Sequence, residues 1–338
     1  MGFVTPAQQY DVISVGDVAT DLFIRLSDGQ VERRADERGT WLVFPLGAKV
    51  PYERATTVEA GGSAANAAVA MSRLGLRVAL ASFLAHDELG RDLLGALHTE
   101  RVDTRLVRID SPAHTNRNFV LSFHGERTIL VWHEEFDYHW PHLRPSEVPS
   151  WLHLTSLGAH ALGYQDQIAD WLDENPSVRM AFQPGTFQIE AGVDRLARLY
   201  RRAEVLVCDR AQAGAMVGVS PADPAELLEP LLKLGPRQVV VLDETGGAVA
   251  SDGSKRYSVP PFPDTSAPLD RTGAEDAFAA TFVAALVRGV DFAEALRWSP
   301  PNFMSVVHEL GSQAGLLHNE ELLDLLKESG DGFQVRQL

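Results

Sequence analysis

Trp151-Leu-His-Leu-Thr-Ser-Leu157, Val178-Arg-Met-Ala-Phe182, Glu204-Val-Leu-Val-Cys208 and Gln238-Val-Val-Val-Leu242 are four short apolar, β-rich runs. A stretch of helical character follows each: residues 165–174, 188–202, 224–234 and 273–288. Strand-then-helix alternation predicts a parallel sheet covered by helices on both faces. Toward the N-terminus, Asp11-Val-Ile-Ser-Val-Gly-Asp17 reads as a buried first strand. Residues 63–75 read as a helix with Ser63 as N-cap and Gly75 as its stop, residues 77–84 as a strand, and residues 88–100 as an amphipathic helix. Toward the C-terminus, residues 293–298, 302–309 and 320–327 read as helices, and residues 331–338 as a loosely held tail.

Two regions break the alternation. Residues 21–60 hold short strand candidates at 22–26, 41–44 and 54–58, without helical period. Residues 118–132 read as a hairpin turning at His124-Gly-Glu126. Together they predict a small β-sheet appended to a three-layer α/β/α core, formed mainly from 21–60 and part of 115–135. Residues 1–330 then form one domain.

The chain has 338 residues, with 30 Lys and Arg against 46 Asp and Glu, a net charge of −16. So acidic a surface repels nucleic acid and anionic membranes. The single cysteine, Cys208, excludes an internal disulfide and multi-cysteine metal sites, reads as a buried hydrophobe, and fits a reducing cytoplasm. Residues 1–6 lack the layout of a signal peptide, and the apolar run 277–287 is too short to cross a bilayer. The stretch Trp132-His-Glu-Glu-Phe-Asp-Tyr-His-Trp-Pro-His142 matches no zinc spacing and reads better as a loop lining a cleft.

Two glycine-marked segments carry the chemistry. In Gly61-Gly-Ser-Ala-Ala-Asn66 the glycines let backbone approach a ligand, and Asn66 both donates and accepts hydrogen bonds. Asp270-Arg-Thr-Gly-Ala-Glu-Asp276 leads into an apolar helix, whose N-terminus favours anions. Singly, each is ordinary turn chemistry. In this order and spacing, together with Gly16, Asp21 and Gly311-Ser-Gln-Ala-Gly315, they resemble the ribokinase-like (PfkB) family of carbohydrate and nucleoside kinases over nearly the whole chain.

That resemblance implies an αβα core with a β-sheet lid, often a dimer contact, and a small sugar or nucleoside as acceptor. It implies transfer of the ATP γ-phosphoryl to a hydroxymethyl group, with Mg2+. Asp276 matches the catalytic base. Gly273, Ala274 and Glu275 would form an anion hole with it. Asp21, Gly61, Gly62 and Asn66 match positions that hold sugar hydroxyls. Asp243, Glu244, Gly247 and Asn302 would meet the nucleotide, and Asp209 and Gln212 the metal through water.

The departures fall on the nucleotide and metal side. Glu275 stands for a glycine in Gly-Ala-Gly-Asp. Asp209-Arg-Ala-Gln212 stands for Asn-x-x-Glu, Leu242-Asp-Glu244 for a Thr-x-Gly element, and Gln183-Pro184 for Asn-Pro. A carboxylate about 5 Å from a phosphate, at an effective dielectric of about 20, costs roughly 3 kcal/mol, or about a hundredfold in rate. Two readings follow. One is a working kinase, in which Glu275→Gly raises transfer if Glu275 faces the phosphates. The other is a pseudokinase that binds a sugar, nucleoside or protein with little transfer. A dinucleotide-dependent oxidoreductase is disfavoured, because no Gly-x-Gly-x-x-Gly follows the first strand.

Overall fold

Alternation within each strand decides which core a side chain enters. In Val205–Asp209, Val205 and Val207 join one hydrophobic core while Leu206 and Cys208 join the other. In Gln238–Leu242, Val240 and Leu242 divide from Val239 and Val241 in the same way. Two faces, each coated with apolar side chains, require helices on both. The computed structural model describes residues 9–37, 39–110, 113–124, 126–264 and 266–338; residues 1–6, and Gly125 of the expected hairpin turn, lie outside them.

Val78–Ala81, Val12–Val15, Trp151–Leu154, Arg179–Phe182, Val205–Asp209 and Gln238–Leu242 run parallel in that spatial order. Ala248–Ser251, Arg256–Val259 and Arg336–Gln337 extend the sheet antiparallel. The chain first builds to one side of Val12–Val15 and then to the other, so the order reverses there. Open α/β sheets place ligands at the carboxyl ends of strands around such a point. Among the described residues, no helix is long and apolar enough to cross a membrane.

A second, four-stranded sheet pairs Glu126–Leu130, Arg117–Phe123, Ala19–Leu26 and Tyr52–Gly61. Glu32–Asp36 and Gly39–Val43 form a separate ribbon.

Ala274–Val287 is apolar on every side, and eleven of its residues are buried. Such a helix is stable only when enclosed. The main sheet lies on one side, and Ser63–Arg73 and Phe292–Val307 pack along it. The enclosure holds the start of this helix, and therefore Asp276, in one place.

Several elements differ from the sequence reading. Ser63 is the first helical residue rather than the cap; Gly62 caps, with φ 89, and a Cβ there would lie 2.8 Å from the Asp17 carbonyl oxygen. The helix expected over 188–202 is two, Thr186–Ala191 and Ala197–Arg202, parted at Gly192 (φ 90). The helix expected over 224–234 is a tight turn, Pro224–Leu227, then Leu228–Leu232. Conversely, Phe292–Val307 runs through Pro300 and Pro301 as one helix. Interior proline costs about 3 kcal/mol, and burial of Leu296, Phe303 and Val306 in the same core offsets it. The expected tail is also anchored: Phe333 is fully buried, and Arg336–Gln337 joins the sheet edge.

Candidate active site

Asp276 stands in the first turn of Ala274–Val287, almost fully buried. Asn66 Nδ2 donates to one carboxylate oxygen at 2.8 Å, and Gln183 Nε2 to the other at 2.9 Å. Burial raises its pKa, and hydrogen bonds from Asn66, Ser63 and Gln183, with the charge of Arg127, oppose the rise. Asn66 is itself oriented: its Oδ1 accepts from Ser312 Oγ at 2.7 Å and Gln313 Nε2 at 3.2 Å. Gly311-Ser-Gln-Ala-Gly315, read as a nucleotide-side loop, thus also braces the Asn66–Asp276 pair. Asn66, expected to hold sugar hydroxyls, commits its amide to the aspartate.

Asp21, Gly62, Ser63, Asn66, Gly273, Glu275 and Asp276 line one cavity of ≈ 230 Å³, with Asn118, Arg127, Arg271 and Thr272. Gly61 lies just behind: a Cβ there would sit 2.4 Å from Asp21 Oδ2, so glycine makes room for that carboxylate. Asp21 accepts from Asn118 Nδ2 at 2.9 Å. Burial, with the charges of Asp270 and Asp276, pushes its pKa up to about 6 against the pull of Asn118. Folding thus favours neutral Asp21; that stabilisation is complete below about pH 4 and lost as pH rises through 6. Two units correspond to about 3 kcal/mol. With an unfolding entropy near 2 cal/mol/K per residue, Asp21→Asn is expected to raise Tm by about 4 °C at pH 8 and scarcely at pH 4. Calorimetry at both pH values measures this; equal shifts contradict it.

Gly273 adopts φ 78, and a Cβ on it would meet Ser312 Cβ at 2.3 Å. This left-handed residue lets the loop enter the helix directly beneath Ser312. Of the expected anion-hole amides, that of Ala274 turns back to the Arg271 carbonyl at 3.3 Å. Asp270 shapes the loop, accepting from Thr272 N and Oγ1 and from Gly311 N. Sequence reading missed Arg127: it lies on Glu126–Leu130 of the small sheet and donates to Thr272 Oγ1 at 2.9 Å, 145 residues away. Its only sequence signal is a cation on a strand flanking the cleft. Asn118, Ser63 and Arg271 were missed as well.

Glu275 opens to solvent at the cleft, yet the surrounding protein, with Asp209 and Asp276, pushes its pKa up to about 7; Arg127 opposes this. A second cavity of ≈ 540 Å³ shares Val120, Arg127 and Arg271 with the first and is also lined by Glu244. Glu244 reaches 4.0 Å from Arg271. Asp243 is taken up by its own turn, accepting from Thr245 N and Oγ1 and from Gly247 N. Asn302 lies away from both cavities. It is fully buried, donates to Thr281 Oγ1 and accepts from Leu317 N, and so acts as a strut between helices.

Asp209 and Gln212 form a reciprocal cap on Arg210–Val217: Asp209 Oδ1 accepts from Gln212 N, and Gln212 Oε1 accepts from Asp209 N. Gln212 therefore has its carbonyl engaged, and among the described residues no three His, Cys, Asp or Glu converge as a metal site. Asp209 and Gln212 are thus held by the start of their own helix, and any contact with a metal from there runs through water. The 132–142 loop is fastened to the turn that follows Val12–Val15: Tyr138 OH and His133 Nδ1 reach the buried Asp17 at 2.9 and 3.2 Å.

The family model for pfkB family carbohydrate kinases matches residues 43–299. The chain is 25% identical to the ribokinase of Haemophilus influenzae over 277 residues, covering 80% of this chain and 88% of that one. It is 28% identical to the 2-dehydro-3-deoxygluconokinase of Thermoproteus tenax over 284 residues, covering 79% and 85%. The structure of Arabidopsis thaliana ribokinase complexed with ribose and ATP shares the fold, with a TM-score of 0.75, 20% identity, and coverage of 95% and 99%.

Proposed function

Because the chain belongs to the PfkB family of carbohydrate kinases, we propose that it transfers the γ-phosphoryl of ATP to a hydroxymethyl group of a small sugar, with Asp276 as general base. The observation that supports this most is the convergence of Asp276, Asp21, Gly62 and Asn66 on one cavity at a helix N-terminus. Asn66 and Gln183 fix both carboxylate oxygens, leaving lone pairs for a substrate hydroxyl. A raised pKa brings Asp276 closer to working pH, which strengthens it as a base. As the hydroxyl oxygen bonds to the γ-phosphorus, its proton passes to Asp276 and ADP leaves. The helix N-terminus, Arg127 and Arg271 offset the charge on the transferring group. Asp21 holds sugar hydroxyls.

The small sheet carries Arg127 into the cleft, and so acts as a lid. Its exposed Tyr52, Ile129 and Leu130 support a homodimer contact there.

The test is ATP consumption against a sugar panel with magnesium, wild type beside Asp276→Asn. Sugar-dependent turnover lost in the variant supports the kinase. Thermal stabilisation by a sugar without turnover supports the pseudokinase instead, a reading that Glu275 keeps open.

Glu275 supplies a separate prediction. Above pH 7 its carboxylate is charged and opposes the phosphates; below pH 6 it is largely neutral. Glu275→Gln is expected to raise kcat at pH 8, with about a hundredfold as the ceiling set by the Coulomb cost, and to match wild type near pH 6. Identical kcat–pH profiles contradict this placement.

A further inference from the structure

His153 lies in the middle of Trp151–Leu154, fully buried, with Ser14 and Ala181 beside it on the adjacent strands. Its neighbours Leu152 and Leu154 enter one core, so His153 faces the opposite side. On that side Ser14 Oγ donates to the Ala64 carbonyl of Ser63–Arg73, and Ala181 packs in the core that contains Ala274–Val287. The imidazole is thus sealed beneath the two helices whose first turns carry Ser63, Asn66 and Asp276. Burial pushes its pKa down to about 4, and the neighbouring Gln183 side chain opposes that shift. The ring is therefore neutral at pH 7, with one N–H to donate.

Gln183 has two ends. Its Nε2 donates to Asp276 Oδ1 at 2.9 Å, while its Oε1 is buried without a partner of good geometry, as are both ring nitrogens of His153. Reversing the amide would set a carbonyl oxygen against the Asp276 carboxylate. That repulsion fixes which end faces Asp276, but it leaves the buried carbonyl uncompensated and the plane of the amide loose; a donor at the carbonyl supplies both.

We propose that His153 is a positioning residue for Asp276: its ring N–H engages the Gln183 carbonyl and so keeps the amide N–H on the carboxylate. The relay His153–Gln183–Asp276 complements the Ser312–Asn66–Asp276 brace on the other oxygen. Asp276 is thereby clamped from two sides, and its remaining lone pairs face the cavity.

This inference rests on Asp276 being the base, and its test separates the two. His153→Leu is expected to lower kcat about tenfold, the worth of one hydrogen bond, while the sugar KM stays within about twofold. Gln183→Met gives the same split. His153→Asn retains a neutral donor and recovers most of the loss. A folded His153→Leu with wild-type kcat, or an Asn variant no better than Leu, overturns the relay. A second arm needs no turnover. In ¹⁵N-histidine NMR, His153 is expected as one neutral tautomer at pH 6, and the tautomers mix in Gln183→Met; unchanged spectra overturn the relay. Absence of transfer by wild type refutes the kinase reading alone, and the spectra still decide the relay.

Discussion

Asp276→Asn is expected to lower kcat for sugar phosphorylation by about 10³-fold, within the range for loss of a general base, while sugar KM changes only a few-fold. Asparagine keeps the size of the carboxylate and can still bond Asn66 or Gln183, so the cavity persists. What disappears is the acceptor for the hydroxyl proton. Folding gives a second readout. Burial raises the Asp276 pKa, so the protein gains stability at low pH from this group and loses it as pH rises. The variant is therefore expected to melt no lower than wild type at pH 8. A variant keeping kcat within tenfold assigns the base elsewhere; one that melts far lower makes Asp276 a structural residue.

Gly273→Ala is expected to produce the next largest loss, through backbone rather than charge. The residue holds φ 78 at the helix N-terminus, where a Cβ would come 2.3 Å from Ser312 Cβ and 2.8 Å from its Cα. Neither atom is the loose end of a flexible side chain, so the loop or the Ser312 segment must shift. Left-handed strain in a non-glycine residue adds about 1 kcal/mol or more. Ser312 orients Asn66, so the displacement reaches Asp276 and the donors of the helix N-terminus together. Loss of one preorganised donor costs about 10²- to 10³-fold in kcat, and a fall of that order is expected, with Tm lower by several degrees. An alanine variant with wild-type kcat and Tm contradicts this account of the loop.

The sequence made the core legible because its strands are short, apolar and regularly spaced, and their alternating residues sort into two cores. Gly62, Asn66 and Asp276 stand on two glycine-marked segments that converge on one cavity, and Asp21, read only through the resemblance, lines it too. What remained hidden depends on distance. Arg127 meets Thr272 across 145 residues, and His153 reads as one more residue of a buried strand. Asn302 fits a nucleotide contact by position, but its surroundings turn both ends of the amide inward. Asp209 and Gln212 have the spacing of a motif, and that same spacing makes a capping box that sequence reading passed over. The prolines at 300 and 301 mark a helix end by local rule, and burial on both sides overrides it.

The most direct measurement is a crystal structure with a phosphorylatable sugar and a non-hydrolysable ATP analogue. The account predicts the acceptor hydroxymethyl oxygen at about 3 Å from the Asp276 carboxylate, with Asp21 on another sugar hydroxyl and the terminal phosphate at the Gly273 turn. A sugar seated with that oxygen turned away from Asp276, or in a different cavity, contradicts it.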